Sequence, residues 1–224
     1  MKNSKLKNLF VILFLGGLWG FLEATLGALL HLGVFDSIMF TSTAVMLPLA
    51  YLIMGHAYKE TGKATSAFYV GLIAASIKAV CFFYVPMVNK VVNPMVAIVL
   101  ESLVTASAFA VAKPSKILSI RSFVSFICVS TVARIGYVGY SIATAVPFMS
   151  AYINGGSLVW SEIVKYVVTA NAISFAYLAA YMGCGLLVNN LSGEKAKTIV
   201  RKIVYSPACA AAMVAVAFAV TIIL

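Results

Sequence analysis

The sequence predicts an all-α fold, a polytopic transmembrane helical bundle of six or seven helices that forms one integral membrane domain over residues 1–224. Three observations carry that reading. Hydrophobic residues make up 63% of the chain and charged residues only 10%. The apolar residues come in runs of about twenty, the length that crosses about 30 Å of hydrocarbon. Basic residues gather in alternate connections between those runs.

The runs place spans at about 8–33, 37–57, 66–88, 94–112, 122–147, 160–187 and 205–224. The first follows MKNSKLKN and continues from FVILFLGGLWG through LEATLGALLHLGV with no A-x-A site, so it reads as a retained helix and not a cleaved secretory signal. Lys2, Lys5 and Lys7 precede it. Lys59 and Lys63 follow the second span, Lys113, Lys116 and Arg121 the fourth, and Lys195, Lys197, Arg201 and Lys202 the sixth. These are twelve of the sixteen basic residues, and the other connections carry only Lys90. The positive-inside rule then puts the N-terminus in the cytoplasm and Leu224 outside. The formal charge of +10 therefore reports topology and not nucleic-acid binding. Of the connections, Asn189–Ser206 inside and 148–159 outside are the longest, and the outer one contains AYINGGS, a composition suited to a loop or lid.

Several functions are excluded or left without support by what is missing. No GxxxxGK[ST], HExxH or GxSxG stretch occurs, so the chain has no nucleotide loop of its own and no familiar hydrolase signature. Cys81, Cys128, Cys184 and Cys209 all lie in apolar runs without a CxxC pair and read as reduced packing residues. With only His31 and His56 in the chain, neither a metal site nor a cofactor is expected.

The candidate site comes from charge where lipid forbids it. Glu23, Lys78, Glu101, Arg134, Glu162 and Lys165 fall within or at the outer ends of the spans, with Lys78 and Arg134 near the midplane and the rest nearer the outside. A charge at the bilayer centre costs at least about 2.5–3.5 kcal/mol, so each must face a partner, a cavity or a ligand. Thr131, Arg134, Tyr137 and Ser141 share one helical stripe; Ala97, Glu101, Thr105 and Ala108 share another; Trp19, Glu23 and Gly27 a third. Asn171 joins from the sixth span, and Asn89, Asn93, Tyr152, Asn154 and Trp160 approach from above. Mutual neutralisation of three acids and three bases would account for the charges, with Lys78 paired to Glu101 or Glu23. It would not account for their one-sided depth. A cavity open to the outside does, and its mixed charge and tyrosines suit a small polar or zwitterionic solute with a flat apolar part. Glu23, Lys78, Glu101, Arg134, Tyr137, Lys165 and Asn171 are the expected solute-binding residues.

Gly16, Gly20, Ala24 and Ala28 form a small-xxx-small ladder on the first helix, against which another helix can pack, from this chain or from a separate subunit. Taken with basic inner loops, the absence of a nucleotide motif and a polar site in the outer half, the chain resembles the substrate-binding S component of energy-coupling factor (ECF) vitamin transporters. That resemblance implies a prokaryotic-type plasma membrane and a transmembrane coupling subunit, carrying ATPases, that docks on Gly16, Gly20, Ala24 and Ala28. It implies a solute held around Lys78, Glu101 and Arg134. The family has six helices with both ends in the cytoplasm, against seven spans here. Two other functions fit the same residues: an ion-coupled secondary transporter with Glu23 or Glu101 as carrier, and an integral-membrane enzyme using either as general base.

Overall fold

The computed structural model describes residues 2–30, 42–117, 119–145, 151–191 and 193–223. Helix α1 (Lys2–Leu22) runs into a π turn, Glu23–Gly27, and a last short turn, Ala28–Leu30. Helix α2 covers Ser42–Thr61, and α3 covers Thr65–Ala79 before tightening into the 3-10 turn Val80–Phe83. Helices α4 (Asn89–Ala112) and α5 (Ile120–Ala143) follow. Strands β1 (Ile153–Asn154) and β2 (Ser157–Leu158) make a small antiparallel hairpin. Helix α6 has three parts, Trp160–Val164, the π turn Lys165–Thr169 and Ala170–Leu191. Helices α7 (Glu194–Val204) and α8 (Pro207–Ile223) complete the chain.

The boundaries have local causes. Ser119 caps α5, its hydroxyl accepting the Ser122 amide at 3.3 Å. Pro207 opens α8, where its missing N–H costs no helical bond. The hairpin turn is Gly155-Gly156, both at positive φ, so AYINGGS is an ordered hairpin and not a loose loop.

Five of these helices are long and apolar enough to cross a membrane: Lys5–Gly27, Thr65–Phe83, Asn89–Ala112, Ile120–Ala143 and Trp160–Leu187. The bent pair α7 and α8 makes a sixth if it is counted as one span. This is an all-α membrane bundle, with five or six qualifying helices among the described residues where the sequence reading counts seven. The difference lies at two elements. The expected span 37–57 corresponds to α2, whose described part begins at Ser42; residues 37–41 lie outside the described residues. The expected span 205–224 corresponds to α8, 17 residues set 72° away from α7.

Helix α2 is enclosed by the protein over its described length. It packs on α1, α3 and α6. Ala44 to Leu47, Ala50, Tyr51, Met54 and Ala57 are all buried. Tyr51 is fully buried, and its hydroxyl reaches Ser122 O at 2.8 Å and Ser122 Oγ at 3.1 Å, while its ring meets Phe109 and Phe126 at 5.3 and 5.1 Å. Tyr51→Phe keeps the ring contacts and loses the hydroxyl, so it should cost about 1 kcal/mol, read as a small drop in the melting temperature of the detergent-solubilised protein.

The ladder on α1 is used within the chain. A Cβ on Gly16 would stand 2.7 Å from Ile73 Cβ, and one on Gly20 would stand 2.6 Å from Ile77 Cδ1, so both glycines admit α3. Gly17, beside them, admits α8, with Val214 N at 3.0 Å from its notional Cβ. Ala24 is buried, and the side chain of Ala28 lies outside the described residues.

Helices α1 and α8 run side by side along the height of the bundle. Lys7 sits over the Tyr205 ring at 3.9 Å, and the Tyr205 hydroxyl donates to Glu60, which gathers the start of α1, the end of α2 and the α7–α8 junction on one face. At the opposite face the Tyr84 hydroxyl donates to the Thr221 carbonyl near the end of α8. The first face collects the basic connections; the second holds the cavity.

Candidate functional site

A cavity of about 770 Å³ opens among six helices at the face away from the basic connections. The π turn of α1 contributes Glu23 and Gly27, α2 contributes Thr43 and Met46, and α3 with its 3-10 turn contributes Lys78 and Cys81. Val85 and the start of α4 supply Asn89, Lys90, Asn93, Pro94, Ala97, Ile98 and Glu101. Tyr137 of α5 and Tyr166 of α6 close the far wall. The volume suits a drug-sized or vitamin-sized molecule.

Two irregular turns aim side chains into this space. A π turn carries an extra residue, which changes the helix face that the following residues present. One π turn holds Glu23 and Gly27 and the other holds Tyr166. Lys78 occupies the last turn of α3, where the exposed carbonyl ends favour a cation. The expected span 66–88 put it near the midplane, but the regular helix ends at Ala79 and the qualifying span at Phe83, so Lys78 lies closer to the helix end than expected.

The charged groups face one another without closing into pairs. Glu23 feels the charge of Lys78, and Glu101 feels those of Glu23 and Arg134. Among the described residues the ion pairs within 4.0 Å are Lys165–Glu162 and Lys197–Glu194, both away from the cavity. The expected pairing of Lys78 with Glu101 or Glu23 is therefore absent at that distance. Two acids and two bases, Glu23, Glu101, Lys78 and Lys90, stand around one space with room between them.

Arg134 has a different place from the one expected. It is 2% exposed and stands behind Tyr166, with its guanidinium carbon 5.1 Å from that ring. Its Nε donates to Asn171 Oδ1 at 2.9 Å and its Nη2 to Ser174 Oγ at 2.6 Å, with longer contacts from Nη2 to the carbonyls of Thr43 and Ala170 at 3.4 Å. Asn171 in turn donates to Thr131 Oγ1 at 3.2 Å and accepts from Ser130. Arg134 and Asn171 thus tie α5 to α6 and to the start of α2, supporting the cavity wall from outside its lining. Among the described residues, Arg134 Nη1 is buried without a hydrogen-bond partner.

Lys165 is not brought to the site. Its side chain is 57% exposed and lies 4.0 Å from Glu162, because in the π turn it is Tyr166 that points inward. Trp160, at 66% exposed, also stays outside, and Trp19 is core, 1% exposed. Two tyrosines that the sequence did not single out, Tyr166 and Tyr140, complete the mouth with Tyr137 and Tyr152. Tyr166 lies 5.9 Å from Tyr137 and 5.7 Å from Tyr152, and the Tyr140 hydroxyl donates to Asn93 Oδ1 at 3.3 Å. Tyr152 arrives from the hairpin segment, outside the spans, and burial pushes its phenol up, so it stays a neutral donor. His31 lies outside the described residues. Among the described residues no group of three His, Cys, Asp or Glu is arranged for a metal ion.

Fold and cavity together define a class, a polytopic helical membrane protein with a charged cavity at one face. No protein-family profile, curated protein or solved structure matches the chain.

Proposed function

We propose that this chain is a membrane transport protein that captures a small polar or zwitterionic solute from outside, as the S component of an ECF-type importer does. One observation carries the reading: Glu23, Glu101, Lys78 and Lys90 line a single cavity with Tyr137 and Tyr166, and among the described residues no cavity carboxylate has a basic nitrogen within 4.0 Å. Charges that serve only to fix helix register would be expected to close on one another, because an unpaired charge in a low dielectric is costly. A zwitterion answers both signs. Its cationic group sits toward Glu23 and Glu101, its anionic group toward Lys78 or Lys90, and a flat apolar part lies against the tyrosines. The N-terminus and the basic face lie in the cytoplasm on this reading.

A second reading, the ion-coupled carrier, has its own support. Glu23 and Glu101 lie close enough for their charges to act on each other, an arrangement in which one bound proton or cation serves two carboxylates. In addition, Gly16 and Gly20 face α3, so a coupling subunit would need another surface of α1. Solute uptake that stops when the ion gradient collapses, with ATP maintained, favours the carrier; co-purification with an ATPase pair favours the S component.

Native mass spectrometry of the protein released from gentle detergent tests the shared part. A small molecule should remain bound to the parent chain, and Lys78→Ala and Glu101→Gln should each weaken its retention between about 10-fold and 100-fold, as loss of one charge-assisted contact does. Parent-like melting of both variants with undiminished retention would refute the site.

A further inference from the structure

Helix α7 borders a cleft with His56, Lys59 and Glu60 along one edge, through Ala196, Lys197, Val200, Arg201 and Val204, and among the described residues its opposite edge, with Ile199 and Ile203, is left bare. In Glu194–Val204, EKAKTIVRKIV, the residues Ala196, Ile199, Val200, Ile203 and Val204 fall on one side and Lys195, Lys197, Thr198, Arg201 and Lys202 on the other. Only Val204 is buried; Ile199, Val200 and Ile203 are 58%, 56% and 41% exposed. At 11 residues, or about 16 Å, the helix is too short to span a bilayer. It turns 72° from α8, which runs the height of the bundle, so it lies across the membrane direction and not along it.

The junction fixes its level. Tyr205 is held between Lys7, over its ring at 3.9 Å, and Glu60, to which it donates, and burial first and Glu60 second push its phenol up. A protonated tyrosine at the end of an apolar span is a usual occupant of the headgroup layer. Helix α7 therefore leaves the bundle at headgroup depth, on the face that carries Lys7, Lys59 and Lys63. Its four basic residues against Glu194 give it a net +3.

We infer that α7 is an interfacial helix that lies on the leaflet at the basic face, with Ile199 and Ile203 in the acyl boundary and Lys202 among anionic phospholipid headgroups, while Lys197 and Arg201 turn to Glu194 and Tyr205 at the cleft. Two features select lipid over a protein partner. The bare apolar strip is narrow, only Ile199 and Ile203 wide, and the helix and the face it leaves carry the sign that an anionic leaflet attracts, with Lys202, Lys7, Lys59 and Lys63. The inference is independent of what the cavity binds.

Hydrogen–deuterium exchange of the full chain in nanodiscs tests it, comparing phosphatidylcholine alone with phosphatidylcholine containing phosphatidylglycerol. Amides of residues 194–204 should exchange more slowly when phosphatidylglycerol is present. The variant Lys202→Gln should reduce that gain by roughly 5-fold, the share of one basic residue near an anionic surface. The variant Ile199→Ser, Ile203→Ser should lose protection in both lipids. In each case exchange in α3 and α4 should stay at the parent level, which separates loss of lipid contact from loss of fold. Equal exchange of 194–204 in the two lipids, or protection that survives the serine variant, would overturn the inference and leave a protein partner as the occupant of that face.

Discussion

Arg134→Ala should lower the stability of the protein by about 3 kcal/mol, read as a drop of roughly 6–12 °C in the melting temperature in detergent. The guanidinium makes contacts to Asn171, Ser174, Thr43 and Ala170 from a site that is 2% exposed, and each interhelical bond in a membrane protein is worth a fraction of a kcal/mol. Their sum is enlarged by Glu101, whose charge Arg134 partly balances and which the alanine would leave uncompensated. Arg134→Lys restores the charge but not the planar fork that reaches Asn171 and Ser174 together, so it should recover only part of the loss. Because Arg134 stands behind Tyr166 and outside the cavity lining, solute retention in Arg134→Lys should fall less than in Lys78→Ala. A melting temperature unmoved by Arg134→Ala would remove this network from the account of how α5, α6 and α2 are held.

Arg134 also marks where sequence reasoning reached and where it stopped. The cost of a charge in lipid is high enough to require that Arg134 face the protein, and composition alone establishes that much. Which neighbour it meets depends on rotation about each helix axis, which a period of 3.6 residues fixes only while the helix stays regular. It does not stay regular at Lys165–Thr169, where the π turn points Tyr166 inward and leaves Lys165 beside Glu162. The same kind of turn at Glu23–Gly27 leaves Glu23 in the cavity lining, so a π turn brings one of these residues to the cavity and turns the other away. The stripe Thr131, Arg134, Tyr137 and Ser141 lies on an uninterrupted part of α5, and its members do face the core or the cavity. Helix α2 was legible as a helix but not as the one enclosed by the others, because enclosure is a property of the neighbours and leaves no mark on the hydropathy of the segment itself. The amphipathic pattern of Glu194–Val204 was present throughout and was passed over as part of a basic connection.

The close approach of α3 and α4 was the least legible feature, and it carries the other large effect. Gly71→Ala should destabilise the protein by about 2–3 kcal/mol, since a Cβ on Gly71 would overlap both Cβ and Oγ of Ser102 and would stand 3.3 Å from the Trp19 ring. Both neighbours are fixed: Ser102 is fully buried with its hydroxyl bonded to Val99 O at 2.9 Å, and Trp19 is 1% exposed. The overlap involves the Ser102 Cβ itself, so rotating the hydroxyl does not relieve it, and α3 and α4 must separate. Ser102→Gly alone should cost about 1 kcal/mol as a glycine in a helix interior. Combined with Gly71→Ala it transfers the Cβ from one helix to the other, and the double variant should be more stable than Gly71→Ala alone. Glu101 adjoins Ser102 on α4, and Lys78 stands two turns beyond Gly71 on α3, so separating these helices also moves the two charges apart. Solute retention should therefore fall in Gly71→Ala and return in the double variant, in parallel with the melting temperature. Additive losses in the double variant would mean that the two helices are not held apart by this contact, and the cavity would then owe its width to some other crossing.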